Sequence, residues 1–202
     1  MANTALGGFR WVKSRDGAKT APVELRAVAD NYGTGIFRGD PLKLVNDGTV
    51  AVAAAGDAVY AVCDGVEQFK ESGVSGKKGN YLPSGTRFDG AAIVTNPQAS
   101  VVRCIPVRGQ TFEGDCNTAA ASIAAAVTLM FNNCDVAAGA GGSTTTGRST
   151  FVLDNSSTGT GTAQARLLEI VPSPDNDVTS ANWKARFEFN EGTEPLYTAT
   201  GT

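Results

Sequence analysis

The chain has 202 residues, room for one large domain or two small ones, and its 42% apolar residues can supply a core. A net charge of −3 and a pI of about 5.0 exclude a strongly basic nucleic-acid surface, and no apolar run approaches the ~20 residues that cross a bilayer. The absence of histidine removes the commonest general base and the commonest metal ligand together.

Residues 1–21 read as a separate segment. Phe9, Arg10, Trp11, Val12, Lys13, Arg15 and Lys19 make it aromatic and basic, and Gly7, Gly8 and Gly17 keep it pliable. Disordered tails are poor in aromatic residues, whereas aromatic and Arg side chains dominate interfaces. The segment is therefore expected to be an extended N-terminal arm that docks on a partner. Alternation places Phe9, Trp11 and Lys13 on one face, and Arg10 and Val12 on the other. The N-terminus lacks a hydrophobic signal core, so no export is expected.

Pro22 to Val28 alternates and predicts a strand with Val23, Leu25 and Val28 inward. From Ile36 onward the pattern is most ordered. Leu42–Val45, Thr49–Val52 and Ala58–Cys63 are three short strands, separated by the turn signals Asn46-Asp47-Gly48 and Gly56-Asp57 and ended by Asp64-Gly65. They predict an antiparallel meander within a barrel or compact sandwich. Arg38-Gly39-Asp40 spells an integrin-binding tripeptide, but it sits where the β-unit begins and reads as structural.

Residues 67–91 are Gly-broken and Lys-rich and read as a loop. Strands are expected at Ala92–Thr95, Val101–Val107 and Thr111–Asp115. Thr118–Val127 is the one predicted helix, short and capped by Thr118, and Thr128–Phe131 is read as a strand. Further strands follow at Phe151–Leu153, Ala163–Val171 and Trp183–Asn190. The last alternates strictly, with Trp183, Ala185, Phe187 and Phe189 inward. The fold expected is mainly β: antiparallel β-barrel or β-sandwich units, an extended N-terminal arm and at most one short helix. Its parts are the arm 1–21, a barrel domain 22–107, a second β-rich half 108–194 and a tail 195–202.

Two stretches resemble a known family. Gly39, Asp40, Pro41, Lys43, Leu44, Gly56, Asp57, Gly65 and Val66 keep an order similar to the β-barrel segment of head decoration (cement) proteins of tailed bacteriophages. The run Thr145–Asp154, then Pro174–Asn176, then Phe189–Glu191 is similar to the C-terminal half of such virion proteins. The Ala-rich run 119–126 and the Gly-rich loop 139–142 depart from the pattern. The resemblance implies a capsid-stabilising protein that binds the outside of a phage shell and cements neighbouring major capsid subunits, as a homotrimer, without enzymatic activity or cofactor. It places the protein on the virion exterior, with no nucleic-acid or membrane partner. An alternative is a virion surface module whose loops at 139–162 contact host glycans.

Motifs for chemistry are sparse. Gly142–Ser149 nearly fits a phosphate-binding loop, but Arg148 replaces the essential Lys and a strand follows where a helix N-terminus is needed. Asp175-Asn176-Asp177 could offer oxygens to Ca²⁺ but lacks further ligands at a recognisable spacing. Cys63, Cys104, Cys116 and Cys134 form no C-x-x-C pair and are expected to be reduced and mostly buried, with a Cys116–Cys134 bridge as the alternative.

Overall fold

A computed structural model of the chain describes residues 3–29, 32–71, 74–84, 100–139, 141–159 and 163–190. In chain order its strands are β1 (Arg10–Ser14), β2 (Glu24–Ala27), β3 (Ile36–Phe37), β4 (Pro41–Leu44), β5 (Val50–Val52), β6 (Ala61–Glu71), β7 (Val74–Gly79), β8 (Tyr81–Leu82), β9 (Val101–Pro106) and β10 (Gln110–Cys116). After the short helix α1 (Ile123–Thr128) come β11 (Asn133–Ala137), β12 (Val152–Gly159), β13 (Ala165–Ile170) and β14 (Trp183–Phe189). The fold is thus mainly β with one short helix among the described residues, as the turn-rich composition implied.

The strands form two small barrels. In the first the order is β2-β9-β6-β4-β5, and a parallel bridge between Val28 and Val50 brings the ends together. In the second, β10-β12-β11-β13-β14 closes on itself because β14 also pairs with β10. Closure removes the exposed strand edges of an open sheet.

The strands of β6 and β9 show why the two barrels pack together. Ala61, Cys63, Val102 and Cys104 point into the first barrel, while Val62 and Ile105 point the other way, into the core of the second. That second core is built on β14, whose Trp183, Ala185, Phe187 and Phe189 are all buried. The strict alternation of the sequence is realised residue by residue there. The Trp183 indole N–H donates to Thr118 O at 2.9 Å, so this ring carries no unsatisfied donor. Gln164, fully buried, links the barrels: its amide nitrogen donates to Ala54 O and Asp57 O, and its amide oxygen accepts the Val136 N–H.

Several expectations are corrected. The strands around the Asn46-Asp47-Gly48 turn are not a simple meander, since β6 returns beside β4 on the side away from β5. Asp64-Gly65 does not end the third strand. Gly65, at φ +127°, sits in a register shift against β9, and β6 runs on to Glu71. Residues 67–71, 74–79 and 81–82 are therefore strand, with β7 folded back on β6 and β8 on β3.

The helix begins at Ile123, not Thr118. Ser122 is its N-cap, accepting the Ala125 N–H. Thr118 is engaged elsewhere: its N–H donates to Asn155 and its carbonyl accepts from Asn155 and Trp183. Thr128–Phe131 finishes the helix instead of forming a strand, and the strand β11, not anticipated, follows it. On β2 the alternation runs opposite to expectation. Val23 is 48% and Leu25 59% exposed, because Glu24 and Arg26 turn inward to Tyr60, whose hydroxyl donates to Glu24 at 2.5 Å. The strand expected at Ala92–Thr95 and the tail 195–202 lie outside the described residues.

Candidate functional site

The N-terminal segment is not a free arm in this structure. β1 pairs antiparallel with β10, Arg10 opposite Glu113 and Ser14 opposite Gln110. Phe9 is only 4% exposed and packs edge-on against Phe187 and Phe189 at centroid distances of 5.0 and 5.9 Å. It fits because β10 has Gly114 beneath it: a Cβ there would lie 2.8 Å from the Phe9 ring. Trp11 is half-buried against the same core and donates to the Gln110 side chain at 2.7 Å. Arg10 pairs with Glu113 at 2.8 Å, and Arg15 pairs with Glu188.

The expected face pattern breaks at Val12. A register shift between Trp11 and Lys13 leaves Lys13 exposed and buries Ser14. Of the six residues assigned to partner contact, Phe9 is thus core, Trp11 and Val12 are half-buried, and Arg10, Lys13 and Arg15 are exposed, with Arg10 and Arg15 paired to Glu113 and Glu188.

A backbone crossing fixes this segment on the first barrel. Phe9 N–H donates to Gly39 O at 3.0 Å, and Gly39 N–H donates to Cys63 O at 2.8 Å. Gly8 and Gly39 both have left-handed φ, +86° and +95°, and a Cβ on Gly8 would meet Ser149 at 2.4 Å. Only glycine permits an approach this close. Directly beneath lies Asp40, 3% exposed, which accepts the Phe37 N–H at 2.8 Å. Burial pushes its carboxyl up to about 6, against the opposing hydrogen bonds from Ser149 and Phe37. Its burial also removes the Arg38-Gly39-Asp40 tripeptide from display.

The crossing leaves a cleft of about 540 Å³ between the N-terminal segment and the first barrel, within the size range of ligand sites. Its apolar lining includes Trp11, Val23, Val62 and Ile105, and its cations are Arg10, Lys19, Arg38 and Arg148. Asp64 is the single carboxylate of the lining, so the cleft carries net positive charge in an acidic chain. Arg38 and Arg148 are neighbours through a parallel β-bridge, although 110 positions separate them. Arg38 donates to Asp64 at 2.9 Å, and Arg148 donates to the Leu6 carbonyl at 3.2 Å. The sequence groups Arg10, Trp11 and Lys19 in one segment but does not associate Arg38 and Arg148 with them. Nothing local marks that convergence.

A second region of interest is α1 and the turn after it. Ile123 and Val127 of the helix and Phe131 beyond its C-cap are 69, 55 and 65% exposed. Phe131 holds φ +65°, with its N–H bonded to Leu167 O at 2.8 Å and Arg166 lying over its ring. That backbone conformation costs an ordinary side chain roughly 1–2 kcal/mol.

The remaining sequence candidates are structural. Gly142–Ser149 is a tight turn in which Ser143 N–H donates to Arg148 O and Gly147 N–H to Ser143 O. Asp177 accepts from Thr179 and Ser180, which lowers its pKa through the Thr179 hydroxyl first, and Asn176 clamps the backbone of Val171 and Lys184. No group of three His, Cys, Asp or Glu residues among the described residues could hold a metal. All four thiols are free and buried. Cys63 and Cys104 face each other across β6 and β9, and burial raises the pKa of both, Cys104 to about 12. Comparison of the chain with protein-family models, curated proteins and solved structures finds no match.

Proposed function

We propose that this protein is a structural virion component that binds the outer surface of a bacteriophage capsid and cements neighbouring major capsid subunits. The observation that carries the reading is the exposure of three large apolar side chains at and just beyond α1, Ile123, Val127 and Phe131, on the second barrel. A protein rarely keeps an aromatic residue both strained and in solvent without a contact to make. Isolated apolar residues on a surface are ordinary, but here two exposed residues of one face of α1, Ile123 and Val127, are followed just past its C-cap by an exposed aromatic ring. The mechanism is burial of interface area, multiplied by the symmetry of the shell, and the working form is a homotrimer.

The test is co-sedimentation with undecorated shells. The wild-type protein should saturate them, and the double variant Val127→Glu, Phe131→Asp should remain folded and stay in the supernatant. Wild-type protein that fails to sediment, or that instead retains host glycans in a pull-down, would sink the cementing role. Mass photometry showing only monomer on and off the shell would sink the trimer.

A further inference from the structure

The cleft beside β1 has a composition that selects its occupant. We infer that it receives an extended, carboxylate-bearing polypeptide segment of the partner protein; the identity of that partner as a capsid subunit rests on the function proposed above.

Three observations converge. The first is charge: Arg10, Lys19, Arg38 and Arg148 face one lining carboxylate, Asp64, while the chain as a whole is at −3. Two of these cations are committed, Arg10 to Glu113 and Arg38 to Asp64. Among the described residues Lys19 has no partner and Arg148 has only the Leu6 carbonyl. Both are exposed, so both can bond a carboxylate without first breaking an ion pair.

The second is the floor. Trp11 and the exposed Val23 supply apolar contact between the cations, which suits a segment that alternates acidic and apolar side chains. The third is the strand edge. β1 stands last in its sheet order, and no backbone group of Trp11 to Lys13 bonds outside the ladder with β10 among the described residues. Arg10 and Trp11 of this strand line the cleft. An extended segment lying there can add a strand, with backbone hydrogen bonds giving affinity and the cations giving selectivity. The N-terminal segment thus builds a receiving edge on its own barrel, where the sequence suggested a donated strand.

The full chain is titrated into a fluorescein-labelled peptide of alternating Glu and Val, with a Gln–Val peptide as control, and anisotropy is read. The Glu peptide should bind, the Gln peptide should bind about tenfold more weakly or worse, and the affinity should fall between about 50 and 200 mM salt. Trp11 emission should shift on binding, since Trp183 is fully buried. Lys19→Glu and Arg148→Gln should each weaken the Glu peptide about tenfold with an unchanged urea midpoint. Equal binding of both peptides, unaffected variants, or a sulfated oligosaccharide that binds where the Glu peptide does not would each overturn the inference. Sedimentation separates the two proposals. If Lys19→Glu joins undecorated shells as well as wild type, the cleft is not the contact and the cementing reading stands. If wild type binds the Glu peptide but no shell, the cementing reading fails and the acidic-segment site stands.

Discussion

Phe9→Ala tests whether the N-terminal segment belongs to the folded protein. The ring is 4% exposed, meets Phe187 and Phe189 edge-on, and occupies the space that Gly114 leaves open. Burial of a Phe side chain contributes about 1.5–3 kcal/mol, and each edge-on aromatic pair about 0.5–1.5 kcal/mol more. Truncation also leaves a void that β10 and β14 cannot close without breaking their ladder, so the total should reach about 3–5 kcal/mol. Against a stability of order 5–15 kcal/mol this is a large fraction, and it lowers Tm by about 10 °C for a chain of this length. The assay is equilibrium urea unfolding followed by the fluorescence of the buried Trp183. Lys13→Ala, at an exposed position on the same strand, is the control and should change stability by less than about 0.5 kcal/mol. A loss below about 1 kcal/mol for Phe9→Ala would refute the reasoning and return the segment to a detached arm.

Asp40 should make stability depend on pH. Its folded pKa of about 6 lies above the ordinary carboxylate value of 3.8, so the folded state holds the extra proton between these values and stability falls as pH rises through that window. The loss is on the order of 3 kcal/mol. Asp40→Asn keeps an acceptor for Phe37 and removes it, so urea midpoints of wild type and variant should diverge from pH 4 to 6.5; parallel curves would contradict this. The four thiols should resist an aromatic disulfide reagent at pH 8 in the native protein and all react in denaturant, since each is buried with a raised pKa; one fast native thiol would show an opening not present in the structure. Phe131→Asn should leave stability unchanged or raise it by up to about 1 kcal/mol in thermal unfolding, because Asn tolerates the left-handed conformation and little burial is lost; a clear drop would mean the ring is packed in solution.

The strands with a single buried face were legible in advance. β14 reads Trp-Lys-Ala-Arg-Phe-Glu-Phe, and no other structure satisfies that alternation as well. Where both faces of a strand are used, as in β6, or where polar groups are the inward set, as with Glu24 and Arg26 around Tyr60, the period of two carries no direction. Thr118 had the chemistry of a helix cap but was captured by Asn155 and Trp183, partners 37 and 65 positions away. The same limit hid the cleft. Phe9, Arg10 and Trp11 announced themselves by composition. The bridge that sets Arg38 beside Arg148 depends on a glycine crossing assembled from three distant segments.

Gln164 has a mechanical consequence. Its amide is saturated by backbone groups of both barrels, and no water reaches it. Sliding one barrel against the other would strand three buried polar groups at once, so the seam has no inexpensive intermediate opening. A load applied to either barrel is therefore shared with the other across this seam. The chain should yield in one step under load, with both barrels lost together.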